Sequence, residues 1–262
     1  MSYYNTQAIV LTSMNYGEAD RILTLLTYER GRVRAVVRGA RRPRNRFAAM
    51  AQPMNLIDAQ LSGSGNLENL SQGQLVNNYR EIKADLDRLA YAGYLLNLFD
   101  LATSGASDVA EVFIMLITAL ELVQYSDEPE IVRLAVEMKL LTAIGFRPHL
   151  DNCILCYERL DNSKPLYYNA IKGGVCCSYC ADEKQVMPCD GNCRELLVLL
   201  QKTNLDKLSI IEKRYGSKQN EIPTADVAMS LKQSGNILKE SLRQALGELP
   251  KAIEFLDDIK KH

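Results

Sequence analysis

The chain has 262 residues, 47% of them apolar and 24% charged, with a formal charge of −1. That is enough apolar mass for a real core spread over about two domains, and the composition excludes a disordered or fibrous chain. The longest uncharged apolar run, Val112–Leu120, falls far short of the roughly 20 residues of a membrane span, and Met1–Leu11 has no basic region or cleavage site of a signal peptide. A cytoplasmic protein is therefore expected, and its seven cysteines point to metal rather than to disulfides.

In chain order, residues 3 to 76 read as strands. Gln7, Ile9 and Leu11 alternate with Ala8 and Val10, and Arg21–Thr27 is a second apolar run. Tyr28–Gly31 is turn chemistry. In Arg32–Arg38 the side chains of Val33, Ala35 and Val37 point one way, those of Arg32, Arg34 and Arg38 the other. Met54–Leu61 and Leu67–Val76 supply two more strands, separated by "SGSG". Five short strands in so few residues predict a small barrel such as an OB-fold.

From Tyr79 the period becomes helical. Ile82, Leu86, Leu89, Gly93 and Leu96 form one stripe; Val109, Val112, Leu116, Leu120 and Val123 a second; Ile131, Leu134, Met138 and Leu141 a third. "GASD" and "SDEP" separate them, and "IGFRP" at 144–148 ends the third. A loop-rich stretch follows. A helix resumes near Asn192, with Asn192 and Glu195 as a capping pair, and a long one spans Thr224–Leu246 before Gly247 and Pro250. The expected class is α+β: a barrel domain at 1–78, helical parts at 79–148 and 190–262, and a cysteine-bearing module inserted at 149–189.

Cys153-x-x-Cys156, 20 residues, then Cys177-x-x-Cys180 is the spacing of two metal knuckles. Four thiolates close a tetrahedron around Zn2+ with no open position, which is a structural rather than a catalytic site. The alternatives are free thiols in a small hairpin, Cys176 in place of Cys177, or His149 as a ligand. Cys189 and Cys193 lack two further ligands for a second ion. With His149 and His262 the only histidines, a Ser-His-Asp triad is disfavoured, and no Walker loop, GxSxG or HExxH occurs.

"GRVRAVVRGARRPRNRF", residues 31 to 47, holds seven arginines and no acid, so the rest of the chain carries a formal −8. Guanidinium groups fork onto phosphate oxygens and never lose their charge. An uncompensated row of them predicts a face that grips a nucleic-acid backbone, against the bland alternative of a solvated charged face. No recognition helix accompanies the row, so base readout is not indicated. Phe47, Tyr16 and Tyr28 can stack bases or fill the core, and at least two are expected in the core. Glu18 and Asp20 are two carboxylates that a nuclease metal would need, but turn chemistry and a pair with Arg21 explain them as well.

These stretches resemble one family. "AIVLTSMNYGEADRILTLLTYERGRVRAVVRGARRPRNRF", "MKLLTAIGFRPHLDNCILC" and "GGVCCSYC" are similar, in the right order, to the bacterial RecO recombination-mediator family. The segment "LGELPKAIEFL" departs from that pattern. The resemblance implies an N-terminal OB-fold, a helical bundle, a zinc module in members that keep four cysteines, and a non-enzymatic, cytoplasmic, nucleoid-associated role in DNA repair. It implies binding and annealing of single- and double-stranded DNA, association with RecR and with the single-stranded-DNA-binding protein, and help in loading RecA. Carried onto this chain, the DNA-contact residues are Arg21, Arg32, Arg34, Arg38, Arg41, Arg42, Arg44 and Arg46, with Arg21 the weakest, and the zinc ligands are Cys153, Cys156, Cys177 and Cys180. The third helix offers the chemistry to dock the acidic, apolar tail of the single-strand-binding protein, at Arg133, Val136, Lys139 and Leu140, but a plain solvated helix edge is the favoured reading of those residues. Rival classes are a zinc-ribbon regulator that reads a defined site and a metal-dependent nuclease using Glu18 and Asp20.

Overall fold

A computed structural model of the protein describes residues 3–42, 45–63, 65–103, 109–182, 185–216 and 224–259. The chain forms two compact units, 1–125 with 250–262, and 126–249. Among the described residues no helix is long and apolar enough to cross a membrane.

In the first unit β1 (Tyr3–Tyr16), β2 (Asp20–Thr27), β3 (Gly31–Val37), β4 (Leu56–Ser62) and β5 (Glu68–Asn77) close a barrel in the order β1-β2-β3-β5-β4. Only the β3–β5 seam is parallel, through Ala35 opposite Glu68 and Val36 opposite Asn69. This is the five-stranded Greek-key barrel expected of an OB-fold. Period-2 alternation fills it. Ala8, Val10, Leu23, Leu25, Ala35 and Val37 point inward with Ile57, Leu61 and Leu70. Phe47 and Met50 of α1 (Phe47–Met50), a helix the sequence reading does not anticipate, join the same core. Elsewhere Tyr4 packs on the core, its hydroxyl donates to Glu68 at 2.6 Å, and Arg30 lies 3.7 Å over the tyrosine ring.

The outward residues of β1 and β2 are buried too. Ile9 and Leu26 have no exposure, because α3 (Leu86–Ala102) packs on β1 and α4 (Ala110–Tyr125) on β2. Gly31, at φ +67°, lets the β2–β3 turn come close: a β-carbon there would lie 2.5 Å from Val109 Cγ1. Asp85 caps α3 by accepting from the Arg88 N–H at 3.0 Å. The apolar stripe expected on this helix is only partly its buried face. Leu86 and Leu89 are 64% and 38% exposed, whereas Tyr91, Tyr94, Leu95, Leu98 and Phe99 are buried. The cause is that α3 also packs against α9 (Ala252–Ile259), a helix not foreseen after Pro250. The "GASD" break lies outside the described residues.

In the second unit α5 (Pro129–Ala143) packs against α6 (Gly191–Lys202), α7 (Ser209–Tyr215) and α8 (Thr224–Leu246). The cap of α6 is Asp190, whose carboxylate accepts from Cys193 N–H at 2.8 Å, and not Asn192; Glu195 instead pairs with Arg214 at 3.0 Å. A three-stranded sheet, β7 (Gly174–Cys177), β6 (Leu166–Asn169) and β8 (Met187–Pro188) in that order, carries Cys177 of the second cysteine pair at the end of β7, and Cys180 lies in the turn that follows. The units cut across the four-part expectation: residues 79–125 go with the barrel whose strands they cover, and the cysteine segment goes with 126–148 and 190–249.

Candidate nucleic-acid interface and metal centre

The arginines divide by what they touch. Arg21 stands opposite the inward residue Val37, and donates to Ser13 Oγ at 3.2 Å and to the Ala51 carbonyl at 3.3 Å. It is a barrel-end residue rather than a surface contact, and it makes no pair with Asp20. Arg32 is exposed but bonded to Asp100 of α3 at 2.6 Å. Arg34 and Arg38 project outward, and Arg41, Arg42 and Arg46 follow in the loop. All five are exposed, with no carboxylate within ion-pair distance among the described residues. Arg44 lies outside the described residues.

The loop is tied down from beneath. Asp20 Oδ1 accepts from Gly39 N–H at 2.8 Å, Arg41 N–H donates to the Ala19 carbonyl at 2.9 Å, and the Arg41 guanidinium donates to the Gly17 carbonyl at 2.7 Å. Asp20 is thus turn chemistry, the part of the bland reading that holds; the pair with Arg21 that the same reading expects is not formed. Arg46 lies 4.7 Å over the Phe47 ring and donates to the Ser71 carbonyl at 3.3 Å. Arg38 and Arg42 edge a groove of about 690 Å3 with Tyr16, Val36, Leu67 and Asn69 on its other walls. Of the three aromatic candidates only Phe47 is in the core, not the expected two: Tyr28 is 43% exposed, packing edge-to-face on Phe113 with ring centres 5.8 Å apart, and Tyr16 is half exposed in the groove.

The sulfurs of Cys153, Cys156, Cys177 and Cys180 all lie within 4.8 Å of one another. The fold brings them there by docking the first knuckle on β7: His149 N–H donates to Gly173 at 2.8 Å, and Ile154 N–H to Val175 at 2.8 Å. Tyr157, at φ +64°, completes the knuckle turn. Cys156 Sγ and Cys177 Sγ are 3.9 Å apart. That is far beyond a disulfide and close to the edge, about 3.8 Å, of a tetrahedron with metal–sulfur bonds of about 2.3 Å. Burial opposes charge on Cys153, yet N–H groups of Cys156, Cys177 and Leu155 pull its thiol down to about 6. Contact with Cys156 and Cys177 pushes Cys180 up to about 12. Four crowded thiols cannot all ionise alone, and a divalent cation relieves that conflict, so the donor set fits a metal.

Cys176 points to the other side of β7, buried, its thiol pushed up to about 11 by burial, and stays out of the cluster, as does His149. Cys189 and Cys193 are buried, the latter 3.4 Å from Ser234 Oγ. The third-helix residues lie elsewhere than expected. Val136 and Leu140 have no exposure, Arg133 is 4% exposed between Glu130 and Glu137, and Lys139 donates to the Gln201 carbonyl at 2.8 Å. Because α5 is surrounded by three helices, it offers no open groove.

A five-stranded barrel with a cationic edge, followed by a helical part that carries a four-cysteine cluster, defines a class of α+β protein. Family models agree with it: that of the N-terminal part of recombination protein O matches residues 1–79, and that of its C-terminal part residues 83–214. The chain belongs to the RecO family of DNA repair and recombination proteins, which are non-enzymatic recombination mediators. It is 40% identical over 185 residues to DNA repair protein RecO of Symbiobacterium thermophilum, covering 70% of this chain and 73% of that one. The protein of the same name from Shouchella clausii is 32% identical over 214 residues, 81% of this chain and 82% of that one. The Bacillus cereus protein is 28% identical over 218 residues, 83% of this chain and 87% of that one. Membership implies partners within the RecFOR pathway.

Proposed function

We propose that the chain is a recombination mediator that holds single- and double-stranded DNA by its sugar-phosphate backbone, on Arg34, Arg38, Arg41, Arg42, Arg46 and, by sequence, Arg44. The observation that carries this reading is the row of five described guanidinium groups, exposed and without carboxylate partners, that runs from β3 into a loop whose own backbone is anchored. Annealing needs two like-charged strands brought close. A guanidinium row screens their repulsion and leaves base edges free to pair. RecR and RecA are the partners through which the bound strand is passed on, and the single-strand-binding protein is the one from which it is taken.

The test is titration of labelled strands at several salt concentrations. Five phosphate contacts predict a slope of log K against log salt of roughly −3 to −4 on single strands. Arg38→Ala or Arg42→Ala should weaken all sequences alike and flatten that slope by about 0.7 each. A slope near zero rules the reading out, and a loss confined to one sequence favours the site-reading regulator.

The four cysteines hold Zn2+, which when bound neutralises the crowded thiolates and staples the two knuckles. A second groove, of about 450 Å3, suits the acidic, apolar tail better than α5 does. Met187 and Pro188 of β8 and Met229 of α8 give it an apolar floor, and Lys232 a basic rim, while Arg243 there is already paired with Glu240. Lys232→Glu should abolish binding of a peptide with the tail's sequence; unchanged binding removes the groove from consideration.

A further inference from the structure

The cationic loop accounts for phosphate, but not for the wall beside it. Tyr16 is 51% exposed and Leu67 41%, and with the half-buried Val36 they make an apolar side to the groove that Arg38 and Arg42 edge. Tyr16 stands at the end of β1, paired across the turn with Asp20, the residue that anchors Gly39. Loop and ring are therefore held by the same turn. Two side-chain amides face the same space with hydrogen-bonding capacity in reserve. Asn45 spends its carbonyl on Phe47 N–H at 2.8 Å, and among the described residues neither its amino group nor the Asn69 amide has a side-chain partner.

We propose that this groove is a base seat: one unpaired base lies against Tyr16 and Leu67, with Asn45 and Asn69 at its edge, while Arg38 and Arg42 take the phosphates on either side. The proposal rests on the backbone-gripping reading above and adds the class of strand the barrel selects. A duplex hides its base faces in the stack and offers this wall nothing, whereas a single strand supplies an aromatic face of any sequence. The barrel then has two modes, a weaker one for duplexes through guanidinium groups alone and a stronger one for single strands through guanidinium groups and ring together. A seat for one base still leaves the neighbouring bases free to pair.

The experiment compares Tyr16→Ala and Tyr16→Phe on three probes of equal length: a mixed-sequence single strand, the same strand with abasic sites, and the duplex. Tyr16→Ala should weaken the mixed strand by about 5- to 100-fold, the range of one lost base–aromatic stack, and leave the abasic strand, the duplex and the salt slope unchanged. Tyr16→Phe should restore the wild-type affinity. Because Tyr16 is an exposed strand-end residue, an unchanged melting temperature is expected for both variants. Equal losses on all three probes, or no loss on any, overturns the base seat. Arg38→Ala keeps the two readings apart: if it weakens every probe while Tyr16→Ala is inert, only the seat falls; if it too is inert, the backbone reading falls first.

Discussion

One residue type serves three purposes in this barrel. Arg30 is spent on Glu68, 3.6 Å away, and on the Tyr4 ring, and Arg21 on the Ser13–Ala51 corner. Arg32 is half spent on Asp100, and among the described residues Arg34, Arg38, Arg41, Arg42 and Arg46 have no carboxylate partner. A graded scan follows: Arg32→Ala should change the salt slope less than Arg38→Ala does, since Asp100 already offsets the Arg32 charge, and binding isotherms at several salt concentrations read the difference. The outward row Arg32, Arg34, Arg38 was legible because strand period 2 assigns faces unambiguously. The inward register of Arg21 follows from the same period counted back from Leu23 and Leu25. The Arg32–Asp100 pair was not legible: its partners are 68 residues apart, and only the packing of a helix on a barrel brings them together.

At the scale of elements, α5 is the instructive case. Its stripe Ile131, Leu134, Met138, Leu141 was plain in the sequence, but both readings of Arg133, a solvated edge and a rim for a partner's tail, put it on the surface. Instead Arg133 sits in the interior with Glu130 and the fully buried Glu137, at i−3 and i+4, where a helix brings side chains together. Gly235 of α8 helps make the room: a β-carbon there would stand 3.2 Å from Arg133 Nη2. Arg133→Met removes the guanidinium from beside the buried Glu137 carboxylate and should cost about 3–5 kcal/mol in denaturant melts. Replacing both Arg133 and Glu137 with apolar residues should recover much of that loss. Strands, long helices and the break at Pro129 were legible because each obeys a local period. The cap at Asp190 and the helices α1 and α9 were not, since short elements draw their stability from what they dock on.

For the molecule as a whole, the barrel class and the four-cysteine cluster were legible, because strand alternation and ligand spacing are both properties of the chain alone. The grouping of residues 79–125 and 250–262 with the barrel was not, because it depends on which faces cover Ile9 and Leu26. The metal centre lies wholly in the unit 126–249 and the cationic loop wholly in the other. Chelation, or Cys153→Ser, should therefore lower the calorimetric melting temperature while leaving DNA affinity at moderate temperature intact. Loss of affinity in step with metal would tie the two sites together.

The last helix also sets an order of assembly. Ile253 and Leu256 of α9 are buried in the unit that begins at the amino terminus, although they are made after all of the other unit. On the ribosome the barrel's helical coat must wait for codons that follow the whole of the other unit, so a premature stop just past Leu246 would injure the part of the protein translated first and spare the part translated just before the stop.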